Sequence, residues 1–269
     1  MQATVPGMNR TGAAVSPEGT QAMTRAANEL TPPMQIDTAA SEAERIIYIN
    51  ESAAVGSIPP PASLKGVVKT GVAKLKGSNP SIFLDKIGER IAYERSGVRL
   101  YDALVTKYQA VSMMEGGMLP ALEDLAARGG DATIAITPVP GEDAAATLAR
   151  IRSEELQHFK LLCDAMQKLG GDPTAQTPCA DVIGTASIGF MQVLTDPRTT
   201  LAQCLNTMLS VELTDNAAWE LLIQLADDAG ETELSGRFLA ALSQEQQHLA
   251  IVKEWLTTLV ANGAGTPAV

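Results

Sequence analysis

The chain has two histidines, and each closes a Glu-x-x-His tetrapeptide: Glu155-Leu-Gln-His158 and Glu245-Gln-Gln-His248. Residues three apart share one face of a helix, so within each motif the carboxylate and the imidazole point the same way. Both motifs fall in stretches whose apolar residues recur at three-and-four spacing, the period of an amphipathic helix. Upstream of each lies a further such stretch with a lone glutamate on its apolar stripe, Glu94 before the first motif and Glu212 before the second. With 18 glutamates among 269 residues, both histidines would find a glutamate three positions back by chance about one time in 200, so the repeat calls for an explanation. An apolar helix interior does not hold four ionised carboxylates unpaired, because each isolated buried charge is too costly. Four carboxylates and two imidazoles, delivered as Glu, ExxH, Glu, ExxH, are the donors of a two-metal site between helices. The pattern predicts an all-α fold in which Glu94, Glu155, His158, Glu212, Glu245 and His248 meet at one level.

Residues 80–262 read as a four-helix bundle, with 1–79 as an extended N-terminal arm containing short helices and 263–269 as a flexible tail. The first long helix is expected to start with Asn79 as N-cap and Pro80 at the first helical position, and to run to about Glu115. Its inward stripe is Leu84, Ile87, Ile91, Glu94, Val98, Tyr101, Val105 and Tyr108, and Glu89 falls off it. The second runs from about Glu142 to Leu169 and stops at Gly170-Gly171. The third starts with Asp196 and Pro197, repeating the cap-plus-proline signal, and ends at Gly230. The fourth covers about Thr232 to Val260, with Leu239, Leu242, Glu245, His248, Val252 and Trp255 inward. Helical insertions are expected in the connections, one over Leu119–Arg128 and one apolar helix over Val182–Leu194. Counted from these starts, Glu94 and Glu212 lie 14 and 15 residues in, and Glu155 and Glu245 lie 13 residues in, which suggests two helical hairpins related by a pseudo-twofold axis.

A formal net charge of −11 and a pI near 4.7 argue against nucleic acid or an anionic membrane as partner, and suit a chain that attracts cations. Cys163, Cys179 and Cys204 form no CxxC pair, which excludes a rubredoxin-type centre or an iron–sulfur cluster and favours a reducing, cytoplasmic setting. No signal pattern and no 18-residue apolar run is present. A ligating histidine needs a partner on its other ring nitrogen. Glu154, Asp215 and Gln244 are the candidates, and Glu154 leads because it can reach across to the facing helix. Tyr101, two turns after Glu94, is a candidate catalytic residue, as a hydrogen-bond or one-electron donor, against the plainer reading of a core tyrosine.

The order Glu94, Glu155-x-x-His158, Glu212, Glu245-x-x-His248 resembles the ferritin-like superfamily of di-metal carboxylate proteins, over roughly residues 80–262. Two ExxH motifs are similar to those of bacterioferritins, rubrerythrin-like bundles, ribonucleotide reductase small subunits, acyl carrier protein desaturases, manganese catalases and quinone hydroxylases. The resemblance implies two metal ions, iron first, with manganese or a mixed pair as alternatives. Glu155 and Glu245 would bridge them, His158 and His248 would bind one each, and Glu94 and Glu212 would be terminal ligands. It implies reaction with dioxygen or peroxide, as a ferroxidase or an oxidase of a small substrate served by an electron donor. An iron-storage assembly and a purely structural di-metal bundle are the alternatives, and a homo-oligomer, a dimer by preference, is expected. No methionine between Glu155 and His158 matches the haem ligand of bacterioferritins, so no haem is expected. No tyrosine one turn past either histidine matches a reductase radical site.

Overall fold

Capping and glycine signals set several of the helix ends in the computed structural model, which describes residues 80–115, 119–127 and 135–264, with isolated helical positions nearer the N-terminus. The chain divides into two compact units, Met1–Ser57 and Ile58–Val269, and the helices described below belong to the second. Asn79 and the expected boundary between arm and bundle lie outside the described residues. Helix α1 spans Pro80–Glu115 and begins on a proline, whose fixed φ and missing N–H suit a first helical position. A short α2 covers Leu122–Ala127. Asp143 caps α3 (Ala144–Lys168) by accepting from the Ala146 N–H. Gly170, at φ 86°, closes α3 in the left-handed conformation that only glycine adopts at little cost. Next come α4 (Pro178–Ala186) and α5 (Ile188–Thr195), then α6 (Leu201–Asp228) and α7 (Thr232–Ala264). Among the described residues the secondary structure is helical with no strand, and no helix is long and apolar enough to cross a membrane.

Three expectations need correction. The third long helix starts at Leu201, not Asp196-Pro197. Thr200 is its N-cap, and a capping box with Gln203 satisfies two backbone donors at once. Asp196 instead ends α5, where its carboxylate accepts from the backbone and guanidinium of Arg198. The apolar stretch expected as one helix is split at Ser187 into α4 and α5, with Gly184 and Gly189 weakening the helix on either side of the break. Leu239, expected inward, is 58% exposed, and Phe238 is buried in its place. The inward register of α7 runs through Leu234, Phe238, Ala241, Glu245, His248, Val252 and Trp255. Leu239 sits about 100° round from that line.

Side-chain contacts fix the directions of the four long helices. Asp102 pairs with Arg152 and Glu94 faces His158, so α1 and α3 are antiparallel. Tyr93 bonds the Val211 carbonyl while Lys107 bonds that of Thr199, so α1 and α6 are antiparallel too. Glu154 with His248 and His158 with Gln244 give α3 against α7. Asn216 with Glu245 and Trp219 with Phe238 give α6 against α7. It follows that α3 and α6 point the same way, and the chain joining them must return along the length of α1. It does so through α4 and α5. Thr177 and Cys179 bond Asp85 near the start of α1, and Lys107 near its other end bonds the Asp196 carbonyl. On a helix, 85 to 107 is about 33 Å.

The buried interior comprises two apolar clusters. One gathers Leu104, Leu148, Ile151, Met208, Val252 and Trp255. The other gathers Ile87, Leu162, Met166, Trp219, Leu222 and Phe238. Between them in the sequence of each long helix stands a buried polar level: Arg90 and Glu94, Glu155 and His158, Glu212 and Asp215, Glu245 and His248.

Candidate metal centre

Each long helix brings its polar residues inward because they occupy the same stripe as its apolar ones. Glu94 and Tyr101 come from α1, Glu155 and His158 from α3, Glu212 from α6, and Glu245 and His248 from α7. Glu94, Glu155, His158, Glu212, Glu245 and His248 are at most 2% exposed. Their donor atoms form two groups, Glu94–Glu155–His158–Glu245 and Glu155–Glu212–Glu245–His248, and within each group the atoms lie within 4.8 Å of one another. Glu155 and Glu245 belong to both. The two oxygens of Glu245 are divided between the halves: Oε1 stands 2.6 Å from His158 Nδ1, and Oε2 3.2 Å from His248 Nδ1. His158 Nδ1 is 3.8 Å from Glu94 Oε2, and His248 Nδ1 is 3.4 Å from Glu155 Oε1.

This geometry suits cations better than hydrogen bonds. Glu94 Oε2, His158 Nδ1, Glu212 Oε2 and Glu245 Oε1 are all buried with no hydrogen-bond partner. Groups so placed ordinarily find one, since an unmet buried polar atom costs about 1–3 kcal/mol and more if charged. The 2.6 Å approach of His158 Nδ1 to Glu245 Oε1 therefore brings two atoms close without the angle of a hydrogen bond. Donors about 2.1 Å from one ion at right angles stand about 3 Å apart, and the separations above bracket that spacing. Each group could hold a metal ion.

A layer of hydrogen bonds orients the donors. Glu154 Oε2 lies 2.8 Å from His248 Nε2, and Gln244 Oε1 2.9 Å from His158 Nε2. Each contact crosses between α3 and α7, and each comes from the residue just before a motif glutamate. Both histidines thus turn Nδ1 inward. Tyr101 donates its hydroxyl to Glu212 Oε1, and its ring meets that of His248 edge-on at 6.4 Å between centroids. Asp215, expected beside a histidine, instead pairs with Arg90. Arg90 is itself buried, donates to Glu94 Oε1 at 2.6 Å, and stacks 4.5 Å over the Tyr93 ring. Glu89, off the stripe, pairs with Lys86 at 2.5 Å.

Burial raises the carboxyls of Glu94 and Glu212, with Glu245 adding to the effect, and Arg90 offsets part of it at Glu94. Glu155 is pushed up to about 8 by burial and by the charges of Glu245 and Glu94. Glu245 goes the other way: burial would raise it, but the imidazoles of His248 and His158 pull it down. Burial opposes the charge on His158, yet Glu245 and Glu94 lift it to about 9. Burial among like charges thus favours the protonated carboxyls of Glu94, Glu155 and Glu212, and a cation between them would offset the same repulsion.

Two residues of this layer escaped the sequence reading. Arg90 precedes Glu94 by four positions on the inward face, and a basic residue one turn from a buried glutamate is the signal that marks it. Gly97 leaves the space Glu155 fills: a Cβ there would come 2.1 Å from Glu155 Oε2. Compared with protein-family models, curated proteins and solved structures, the chain matches none. Any functional reading therefore stands on the site itself.

Proposed function

We propose that this chain is a di-metal carboxylate protein with a ferritin-like four-helix bundle, binding two iron ions, or iron with manganese, to react with dioxygen or peroxide. The observation that carries the reading is the sharing of Glu155 and Glu245 between two buried donor groups, each with one histidine. Glu94 and His158 would hold one ion, Glu212 and His248 the other, with Glu155 and Glu245 spanning both. Oxygen and imidazole donors without thiolate suit iron and manganese. When bound, the metal pair would relay electrons from Fe²⁺ or a small organic substrate to dioxygen or peroxide, which is reduced. The chain's own residues do the rest. Gln244 accepts at His158 Nε2, which keeps a proton on that nitrogen and leaves Nδ1 free to ligate. Arg90 and Tyr101 each occupy one oxygen of a terminal glutamate, leaving the other directed at the cluster. Apolar side chains of the same four helices keep bulk water from the donors. One donor atom per residue gives four protein donors to each ion, which leaves positions for an exogenous ligand on a metal of higher coordination number.

The test is an aerobic Fe²⁺ titration of metal-free protein, followed by absorbance of the oxidised product and by metal analysis. Uptake saturating near two irons per chain is expected, and Glu155→Ala, which removes a donor common to both groups, is expected to abolish binding of the pair. No uptake would overturn the reading. Uptake continuing far past two would replace it with iron storage.

A further inference from the structure

We propose that the two metal positions are unequal: the Glu212–His248 position binds a divalent cation more tightly and fills first, and the Glu94–His158 position is the weaker, exchanging one. This rests on the di-metal reading above. The donors of the two halves are alike, but the groups behind them differ in two independent ways.

The first difference lies behind the histidines. His248 Nε2 faces the carboxylate of Glu154 at 2.8 Å, whereas His158 Nε2 faces the amide oxygen of Gln244 at 2.9 Å. A carboxylate partner draws the ring proton towards itself and makes the opposite nitrogen a stronger donor. It also places a further negative charge near that ion. Arg150 pairs with Glu154 at 3.1 Å, but its side chain is 27% exposed, and solvent screens its effect.

The second difference lies behind the terminal glutamates. Glu94 Oε1 accepts from the guanidinium of Arg90, and Glu212 Oε1 accepts from the neutral hydroxyl of Tyr101. A hydrogen bond from a charged donor is about twice as strong as a neutral one and withdraws more charge from the carboxylate. Asp215 balances part of the charge on Arg90 without releasing Glu94, because the same Arg90 nitrogen, Nη2, donates to both. Both differences act in one direction. The Glu212–His248 half is the more electron-rich, and the Glu94–His158 half is depleted twice.

The experiment is a calorimetric titration of the metal-free full chain with Mn²⁺ under nitrogen. Two ions are expected to bind with constants at least about tenfold apart, since changing the group behind a ligating histidine shifts metal affinity about 10–100-fold. His248→Ala should remove the tighter event and His158→Ala the weaker. Glu154→Gln should weaken the tighter constant until the two converge. Gln244→Glu should tighten the weaker one, a gain that structural damage would not produce and that remains readable if Glu154→Gln does not fold. Two equal constants in the wild type, or a Gln244→Glu variant with both constants unchanged, would overturn the inference and leave the di-metal reading standing. A chain that binds no Mn²⁺ at all would overturn both.

Discussion

A Cβ on residue 97 would stand 2.1 Å from Glu155 Oε2, so α1 presents bare backbone where the shared carboxylate lies. Two effects compete if a methyl is added. Alanine is the better helix former by about 1 kcal/mol in a helix interior. The obstructing atom, however, is the end of a flexible side chain, which can swing away at little cost in strain but not without leaving the cluster. Gly97→Ala is therefore expected to keep or raise thermal stability while metal content per chain falls well below wild type. Wild-type metal content would show that Glu155 is not held by this contact. The six donors were legible in the sequence because their spacing is local: a Glu three before a His, or a Glu on an apolar stripe, can be read without the fold. Gly97 was not, because its role depends on Glu155 of another helix; at Arg90 the bond to Glu94 is local, but the pairing with Asp215 of α6 is not.

At the level of the elements, two start signals competed ahead of α6. Asp196-Pro197 has the composition of a cap, but the helix follows Thr200, whose hydroxyl accepts from Gln203 N while the Gln203 side chain accepts from Thr200 N. The reciprocal pair prevails because it satisfies two of the four open N–H groups of the first turn. Thr200→Ala is expected to cost about 1 kcal/mol in urea unfolding, and Asp196→Ala less, since its carboxylate serves the neighbouring Arg198 turn. The reverse order would return the start of α6 to Asp196. The long helices were legible from their three-and-four periodicity, to within a few residues at each end. The break at Ser187 was not, because a short apolar run has no second face whose pattern would reveal it.

For the molecule as a whole, the metal-free centre links stability to pH. Glu155 is raised by burial from 4.5 to about 8, and His158, against burial, is raised by its carboxylate neighbours from 6.5 to about 9. A folded value above the unfolded one means the fold holds its proton more tightly. The stability each group contributes is full below the unfolded value and lost as pH rises through the folded one. The window runs from about pH 4.5 to 8 for Glu155 and 6.5 to 9 for His158. Glu245, displaced downward from 4.5, weakens the fold only on acidification below that value. Thermal melts of metal-free protein are thus expected to show a Tm falling from pH 6 to 9, and metal-loaded protein a much flatter profile. A flat Tm over that range would mean the carboxylates are already ionised in the fold, and a rising one that the histidines have lost their protons there. The two hairpins were legible in the sequence, but how one lies against the other was not, because the length of the connection after α3 does not say whether it turns back or runs along α1. Its course has a consequence in time. The α1–α3 hairpin carries Glu94, Glu155 and His158, and the remaining donors lie in α6 and α7. At about 5–20 residues per second of synthesis, the 90 residues from His158 to His248 take roughly 5–20 s. During that interval the nascent hairpin offers three donors and has no counterpart to close them. Neither donor group is complete until α7 has been made, so both come together late, only once Glu245 has joined the side chains of α1, α3 and α6.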